Sequence, residues 1–313
     1  MANYFPRSNT EVQAAPTYLP VNRRRYILYS GPVDVRLVVK ARGRYSSKRD
    51  FGCLLIVGGS EVYSGAPALA GMAALRAGVG LVIIAAPRSV AATIRGYSPN
   101  LIVHSLNSDI VGSEEIEQLS RLLAASDALV LGPGIGRQPE TIQTIPLIIK
   151  EARKIGKPIL IDADAIRALA EAKELLKGVL ITPHAGEFKA ISGLQAPQLW
   201  HDRLPICRKF ALEHGCVLLL KGHDTIVTDG SRVKVNHSGN PGMATAGAGD
   251  VLSGIIGAFL AQGTESFAAA VAGAYIHGVA GDIVCRQKGF HMVASDLIEA
   301  LPTVLRKYDH LAK

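Results

Sequence analysis

From Gly52 onward the sequence repeats one pattern, and this pattern constrains the fold more than any other feature. Short apolar runs with the composition of buried strands alternate with longer, Ala-rich stretches of helical periodicity. The predicted strands are Cys53–Val57, Leu81–Ala85, Ala128–Leu131, Ile159–Ile161, Val179–Ile181 and Val217–Leu220. The predicted helices lie near 66–77, 113–125, 138–155, 165–176, 186–192 and 202–214. Runs that are apolar on both faces and alternate with helices indicate a mostly parallel sheet with helices on both sides.

The pattern changes after the sixth predicted strand. Ile226–Thr228 and Arg232–Asn236 flank Asp229-Gly230, which is typical of a tight hairpin turn. Two apolar helices, near 250–262 and 266–286, follow this hairpin. Hydrophobic residues make up 48% of the 313 residues, enough for one large core. We therefore expect one α/β domain over residues 48–313.

Residues 1–47 differ from this domain in composition and charge. The first 50 residues contain ten Lys and Arg against three acidic residues, so they carry +7 of the formal net charge of +8. We predict a basic, partly ordered extension that the domain does not need for folding. A basic extension can contact polyanions, but we expect a solvated segment rather than a nucleic-acid site.

The cysteines and apolar stretches bear on the compartment. The four cysteines form no Cys-x-x-Cys pair and no metal-type spacing, which indicates small core residues in a reducing compartment. The apolar segments Val251–Ala261 and Phe267–Ile276 are too short, or too rich in Ala and Gly, to span a bilayer. No apolar stretch follows a basic start in the first 30 residues. These observations predict a soluble, cytoplasmic protein without a membrane partner.

Glycines and polar residues follow five of the predicted strands. In an open parallel sheet, ligands bind beyond the carboxyl ends of the strands. The segments found there are Gly58-Gly59-Ser60, Gly132-Pro133-Gly134-Ile135-Gly136, Asp162-Ala163-Asp164, Thr182-Pro183-His184-Ala185-Gly186-Glu187 and Lys221-Gly222. The sequence therefore predicts a functional site at this edge of the sheet.

The strongest single signal is the glycine-rich run from Gly239 to Asp250. Backbone N–H groups of such a loop, with the positive end of the following helix, can hold a phosphate. Asp250 can accept the proton of a hydroxyl that attacks this phosphate. The alternative is an ordinary N-cap aspartate, which is less favoured once the Asn-Pro-Gly-Met-Ala-Thr run before it is considered.

In order and content, these segments resemble the ADP/ATP-dependent NAD(P)H-hydrate dehydratases of the ribokinase-like superfamily. The resemblance extends over about residues 48–305, with Ser64-Gly65-Ala66-Pro67 and Lys221-Gly222-His223-Asp224-Thr225 as further matches. It implies a ribokinase-like three-layer α/β/α sandwich around a mostly parallel central sheet. The sequence departs from the family at Ala246-Gly247-Ala248-Gly249-Asp250, where Gly-Gly-Thr-Gly-Asp is usual, so a threonine hydroxyl is missing.

The resemblance also implies residue roles. Asp250 would be the catalytic base, and the substrate-binding residues would be Ala66, Gly134, Gly136, His184 and Asp250. The nucleotide-binding residues would be Lys221, Gly222, His223, Asp224, Thr225, Asn240, Gly247, Ala248 and Gly249. Glu187 resembles the glutamate that organises Mg²⁺-bound water, and Asp162 is a second candidate for Mg²⁺, which takes few protein ligands beside a di- or triphosphate.

Structural alternatives exist for several of these residues. Asp162 could equally cap the following helix, and Glu187 could stabilise the start of the next one. Lys221 could be a surface lysine that buries its aliphatic stem. His277 and Asp282 lie in a long apolar helix and are interpreted as satisfied polar groups of the core.

The implied reaction is dehydration of the (6S)-hydrates of NADH and NADPH, a repair of nicotinamide nucleotides. ADP would become AMP, or ATP would become ADP, with release of phosphate and with Mg²⁺ as the metal. Free-standing members often use ADP, and a homo-oligomer such as a tetramer is expected. One alternative is a small-molecule kinase of the same fold, acting on hydroxyethylthiazole or hydroxymethylpyrimidine. The other is a nucleic-acid-binding module that uses the basic extension.

Overall fold

A computed structural model describes residues 27–312, and within them ten strands form one sheet. The strands are β1 (Ile27–Tyr29), β2 (Cys53–Val57), β3 (Leu81–Ala86), β4 (Ile102–Ser105), β5 (Ala128–Leu131), β6 (Ile159–Ile161), β7 (Leu180–Ile181), β8 (Val217–Leu220), β9 (Thr225–Thr228) and β10 (Val233–Asn236). Their spatial order is β1-β10-β9-β8-β7-β6-β5-β2-β3-β4. Only β9 runs antiparallel to its neighbours in this sheet.

Helices cover both faces of the sheet. They are α1 (Pro32–Val38), α2 (Gly65–Arg76), α3 (Arg88–Tyr97), α4 (Ile116–Ala124), α5 (Pro139–Lys154), α6 (Asp164–Arg167), α7 (Ala185–Ser192), α8 (Trp200–His214), α9 (Ala248–Ala261), α10 (Ser266–Lys288) and α11 (Ala294–Leu305). One core lies between the sheet and α1–α3 with α9–α11, and the other between the sheet and α4–α8. Alternate residues of β2 point into the two cores, Leu54 and Ile56 into the first, Leu55 and Val57 into the second. The predicted α/β fold with a mostly parallel sheet is confirmed.

Part of the predicted N-terminal extension belongs to this folded body. Strand β1 pairs in parallel with β10, and Val35 and Val38 of α1 are buried in the first core. Asp34 Oδ1 lies 2.9 Å from Lys234 Nζ, and the Arg42 guanidinium carbon lies 3.8 Å from the centre of the Phe51 ring. Residues 27–47 therefore contribute a strand and a helix that pack on the domain, and from these contacts we now predict that their loss destabilises it. Residues 1–26 lie outside the described part of the chain.

Some elements differ from the sequence-based expectation. Strand β4 was not predicted because only Val103 of its four residues is buried, so it contains no apolar run. Helices α3 and α11 were also not predicted. The helix expected over 165–176 is short instead: α6 ends at Arg167, and a separate 3₁₀ turn covers Lys173–Leu176.

Helix α10 is long and apolar enough, by length and composition alone, to cross a membrane. It has 23 residues, whereas the apolar segment considered in the sequence, Phe267–Ile276, is shorter. In the structure 78% of its most apolar stretch of 18 residues is buried, and the helix packs against α1, α9 and α11. The helix is therefore placed as a core helix of the sandwich.

Candidate active site

The topology brings the predicted site segments to one edge of the sheet. Strands β2 and β5–β8 are parallel, so the segments that follow them lie at the same edge. Because β9 is antiparallel, it begins at this edge, and β10 and β1 end there. The turn Gly222–Thr225 and the run from His237 to Asp250 are thereby placed beside the other segments.

Lys221 forms the centre of a buried charged cluster. Its Nζ lies 3.0 Å from Asp162 Oδ1 and 3.7 Å from Glu187 Oε2. The Lys221 side chain is 21% exposed, so the alternative of a surface lysine does not hold. Burial alone would lower its pKa, but Asp162 and Glu187 raise it above the usual value. The ammonium therefore stays charged and faces the start of α9, where a Cβ added to Gly249 would lie 3.5 Å from Nζ.

Asp162 accepts a hydrogen bond from Lys221 and is buried away from solvent. Oδ1 binds Lys221, Oδ2 accepts a hydrogen bond of 2.5 Å from Ser253 Oγ, and the residue is 1% exposed. Ala163, which follows, has φ 53°, the one positive φ outside glycine among the described residues. Such a conformation costs about 1–3 kcal/mol. Both carboxylate oxygens are committed within the protein, so the predicted role of Asp162 as a direct Mg²⁺ ligand is not supported.

Asp250 is the third residue of α9 and lies among these charges. Burial, the first cause, raises the pKa of Asp250 to about 7. The negative charges of Asp162 and Glu187 act in the same direction, and Lys221 opposes them. A carboxylate with a pKa near neutrality can both accept and release a proton at physiological pH, which suits general-base chemistry. The position is not that of an N-cap, because Gly247 occupies the N-cap.

The start of α9 presents the backbone N–H groups of its first turn beside Asp250 and Lys221, and that of Ala248 donates a long hydrogen bond of 3.4 Å to Thr245 O. Gly247 has φ 88°, and a Cβ there would lie 2.6 Å from Leu69 Cδ1, so only glycine fits. The first N–H groups of a helix of 14 residues have no intrahelical acceptor and favour anions. With the Lys221 ammonium next to them, they form a positively polarised site that favours an anion.

His184 and Glu187 form a reciprocal cap at the start of α7. His184 Nδ1 accepts hydrogen bonds from the N–H groups of Gly186 at 2.9 Å and Glu187 at 3.3 Å. Glu187 Oε2 accepts one of 2.8 Å from the His184 N–H. The structural alternative for Glu187 is thus realised, because it stabilises the helix start. The His184 side chain remains 54% exposed at the site edge.

The residues at this site could hold a magnesium ion through its water shell, but they do not form a set of direct ligands. The described residues contain no group of three or more His, Cys, Asp or Glu arranged to hold a metal. Mg²⁺ commonly takes one or two carboxylates and completes its shell with phosphate oxygens and water. Glu187 is 8% exposed, and its Oε1 lies only 3.4 Å from the half-exposed His184 ring, so this oxygen fits a contact to such water. Both oxygens of Asp162 already have short hydrogen bonds within the protein.

Three of the residues predicted to contact the substrate, Ala66, Gly134 and Gly136, come together. Gly134 has φ 64°, and a Cβ there would lie 2.6 Å from Tyr63 O and 3.0 Å from Ala66 Cβ. Ser60 Oγ donates to Gly134 O at 2.8 Å, and Ser60 Cβ would lie 3.3 Å from a Cβ on Gly136. Ala66 is the second residue of α2. Helix α2 packs against α9, and a Cβ on Gly247 would lie 2.6 Å from Leu69 Cδ1, so the start of α2 lies near the start of α9.

Asn240 lies in the loop before α9 and is engaged within the protein. Its Oδ1 accepts from Gly242 N–H at 3.0 Å, and its Nδ2 donates to Asp282 Oδ1 at 3.1 Å. Asp282 Oδ2 accepts from Gly239 N–H at 3.1 Å. Asp282 is therefore satisfied, as expected, and it shapes the loop. The structure thus gives the Asn240 side chain a loop-forming role, and the predicted nucleotide contact would need its amide to change partners.

His277 differs from the expectation of a satisfied core residue. Its Nε2 is buried and has no hydrogen-bond partner in the described part of the chain. Burial lowers the pKa of His277, and a hydrogen bond with the Ala248 backbone opposes this in part. The net pKa is about 4. The imidazole is thus neutral beneath the first turn of α9. Ala248 itself is 7% exposed.

Two further side chains of the site did not stand out in the sequence. Ser253 is the single hydroxyl residue in the apolar run Val251–Ala261, a signal that could have identified it. Arg203 is 5% exposed and donates to Asp224 O at 2.8 Å, beneath the turn Gly222–Thr225. No local sequence signal distinguishes it from the other arginines, because only the fold brings α8 under this turn.

Comparisons with known proteins agree with this geometry. The sequence profile of the NAD(P)H-hydrate dehydratase family matches residues 54–303. The chain is 36% identical over 290 residues to an ADP-dependent (S)-NAD(P)H-hydrate dehydratase of Cenarchaeum symbiosum, covering 90% of this chain and 98% of that protein. It is 40% identical over 282 residues to the bifunctional NAD(P)H-hydrate repair enzyme Nnr of Pyrobaculum aerophilum, covering 90% of this chain and 56% of that one. The chain thus spans about half the length of the bifunctional relatives.

A solved structure shows the same architecture. The ADP/ATP-dependent NAD(P)H-hydrate dehydratase of Bacillus subtilis, co-crystallised with ATP/Mg²⁺, superposes with a TM-score of 0.74 and 25% sequence identity. The match covers 88% of this chain and 96% of that chain. A ribokinase-like superfamily protein of Enterococcus faecalis gives a TM-score of 0.79 at 26% identity over 90% of this chain and 96% of that one. The chain therefore belongs to the NAD(P)H-hydrate dehydratase family and has the ribokinase-like fold.

Proposed function

We propose that this protein is a carbon–oxygen lyase that dehydrates the (6S)-hydrates of NADH and NADPH at the expense of a nucleotide. Its products would be NADH or NADPH, phosphate, and AMP from ADP or ADP from ATP. The dehydratase named above from Cenarchaeum symbiosum supports this, because it aligns over almost its whole length. The observation that carries the proposal is the position of Asp250, with its pKa of about 7, beside Lys221 and the N–H groups that begin α9.

Asp250 would act as the general base. It accepts the proton of the ring hydroxyl as the hydroxyl oxygen attacks the terminal phosphoryl group of the nucleotide. The N–H groups of Gly247, Ala248 and Gly249 stabilise the charge on the transferring phosphoryl group. In the second step the carbon–oxygen bond breaks, phosphate leaves with the bonding electrons, and the neighbouring ring nitrogen supplies electrons to the carbon that loses it. Loss of a ring proton then restores the reduced nicotinamide.

The other residues would bind and orient the two nucleotides. Lys221, fixed by Asp162, would contact the phosphates as a point charge. The turn Gly222–Thr225 would bind the nucleoside part of the donor. Ala66, Gly134, Gly136 and His184 would line the site of the hydrated ring. Mg²⁺ would neutralise phosphate charge, and Glu187 would bind water of its shell.

Several finer properties are part of the same proposal. ADP is the expected donor, and ATP is the alternative. The protein would work in the cytoplasm as a homo-oligomer, with a tetramer as the expected form. Nucleic acid is not expected as a partner.

The proposal is tested by supplying hydrated NADH or NADPH with Mg²⁺ and ADP or ATP. Absorbance of the reduced ring should return, and phosphate should be released in equal amount. Thiazole and pyrimidine alcohols serve as competing substrates, since a kinase of this fold would convert them to stable phosphate esters. The folded variant Asp250→Asn is the control for background reaction. No return of the reduced-ring signal, together with accumulation of a phosphorylated alcohol, would favour the kinase alternative.

A further inference from the structure

A chain of side-chain contacts connects the N-terminal strand to the turn Gly222–Thr225. Asp224 Oδ1 lies 2.6 Å from His237 Nδ1 and 3.3 Å from His223 Nδ1. The His237 ring in turn packs against Tyr29 of β1, with ring centres 4.6 Å apart and the ring planes tilted by 44°. Trp200 completes the cluster with its ring centre 6.2 Å from His237 and 6.5 Å from Tyr29. We call these three rings, Tyr29, Trp200 and His237, the aromatic cluster.

The backbone and the side chain of Asp224 are held by different residues. Arg203 donates to the Asp224 carbonyl oxygen at 2.8 Å and lies directly beneath Gly222. This buried guanidinium fixes the path of the turn. It does not fix the Asp224 side chain, whose recorded contacts within the described residues go to the two imidazoles. His223 is 78% exposed. His237 packs against Tyr29 and Trp200 and is therefore the better-ordered partner of Asp224.

The environment keeps Asp224 ionised although it is partly buried. Burial would raise its pKa, but the hydrogen bond and the charge of His237, with a smaller contribution from His223, hold it below the ordinary value. With Oδ1 taken up by the imidazoles, Oδ2 is available as an acceptor. An ionised carboxylate attracts hydroxyl or amino hydrogens and repels phosphate oxygens. Asp224 therefore suits the nucleoside part of a nucleotide rather than its phosphates.

We propose that His237 is a positioning residue that aims the Asp224 carboxylate at hydrogen-bond donors of the bound nucleoside, and that Tyr29 supports it. The donors are the ribose hydroxyls or the adenine amino group. This rests on the proposed binding of the nucleotide at Gly222–Thr225. Tyr29 lies outside residues 54–303, which match the family profile. The N-terminal strand would thus contribute to nucleotide affinity in this chain.

The test measures ADP binding by calorimetry with the full-length protein, and KM for ADP and kcat in the dehydration assay. His237→Ala should raise the Kd and KM for ADP about tenfold and change kcat less than about twofold, because one hydrogen bond to a charged group is lost. His237→Asn keeps an N–H donor near the position of Nδ1 and should stay within about threefold of the wild type. Tyr29→Ala should weaken ADP binding by an intermediate factor. His104→Ala, on the opposite edge strand β4, is the matched control and should bind like the wild type.

The nucleoside donor is identified with three analogues. 2′-Deoxy-ADP and 3′-deoxy-ADP each lack one ribose donor, and IDP lacks the amino group of adenine. The analogue that binds the wild type and His237→Ala equally well identifies the group that Asp224 contacts. If His237→Ala weakens ADP and all three analogues by the same factor, Asp224 recognises none of these donors and this part of the proposal is wrong.

The outcomes separate this proposal from the proposed function. Unchanged ADP affinity in folded His237→Ala, or equal losses in His237→Ala and His237→Asn, would overturn the positioning role while dehydration stands. Tight, His237-dependent ADP binding without any dehydration would instead overturn the proposed function and leave the positioning role intact. A wild-type protein that binds neither ADP nor ATP would refute both.

Discussion

The buried charge of Asp250 leads to a prediction about stability as well as about activity. Replacing Asp250 by Asn removes the charge and keeps the size of the side chain. An amide cannot accept the proton of the hydroxyl, so the rate of dehydration should fall by about 10²–10⁴. At the same time the folded protein should become more stable at neutral pH, because an ionised Asp250 sits in a buried site beside Asp162 and Glu187.

The magnitude follows from the two pKa values. The pKa of Asp250 rises from 3.8 to about 7 on folding, and this difference corresponds to at most about 4 kcal/mol. A raised carboxyl pKa means that the folded state binds more protons than the unfolded state between these values. The stability of the wild type therefore falls as pH rises from about 4 to about 7, and the variant does not share this loss. Its advantage over the wild type should grow by about 2–3 kcal/mol between pH 5 and pH 8.

The assay is urea unfolding of both proteins at pH 5, 6, 7 and 8, followed by circular dichroism. Asp309→Asn replaces an exposed aspartate that follows the 3₁₀ turn Arg306–Tyr308. It is the control and should follow the wild type at every pH. A stability difference that does not change with pH would show that folding does not raise the pKa of Asp250. Retention of more than about a tenth of the wild-type rate by folded Asp250→Asn would remove it from the base role.

Outcomes are expected for five further variants. Lys221→Gln should raise the pKa of Asp250 above about 7, because the ammonium lowers it, and the acid limb of the pH–kcat profile should move to higher pH. Val35→Ala should lower the free energy of unfolding by about 2 kcal/mol, and deletion of residues 1–45 should lower the melting temperature strongly. A deletion variant as stable as the full chain would contradict the packing of α1. Gly247→Ala should cost both stability and activity, since it combines a φ of 88° with a close contact, and normal melting and turnover would refute this. Ala248→Thr should change nucleotide affinity, measured by calorimetry, more than it changes kcat, and equal affinities would make this departure from the family neutral.

Much of the fold was predictable because the relevant signal is local in the sequence. The strands Cys53–Val57, Ala128–Leu131 and Val217–Leu220 agree with the structure residue by residue, since a strand buried on both faces requires a continuous apolar run. Edge elements gave no such signal. In β4 only Val103 is buried, and β1 lies in a stretch whose basic, proline-containing composition resembles a linker.

The side-chain contacts within the candidate site depend on the tertiary structure. The sequence by itself determined the α/β class, the segments that follow the strands, and the glycine-rich start of α9, because each depends on residues that are neighbours in the chain. It did not determine that Asp162 would be saturated by Lys221 and Ser253. These contacts join residues 59 and 91 positions apart. The order β6-β7-β8 in the sheet brings Lys221 to Asp162, and the packing of α9 on the sheet brings Ser253 there. The raised pKa of Asp250 has the same origin, since burial and the nearby carboxylates exist only after distant segments have come together.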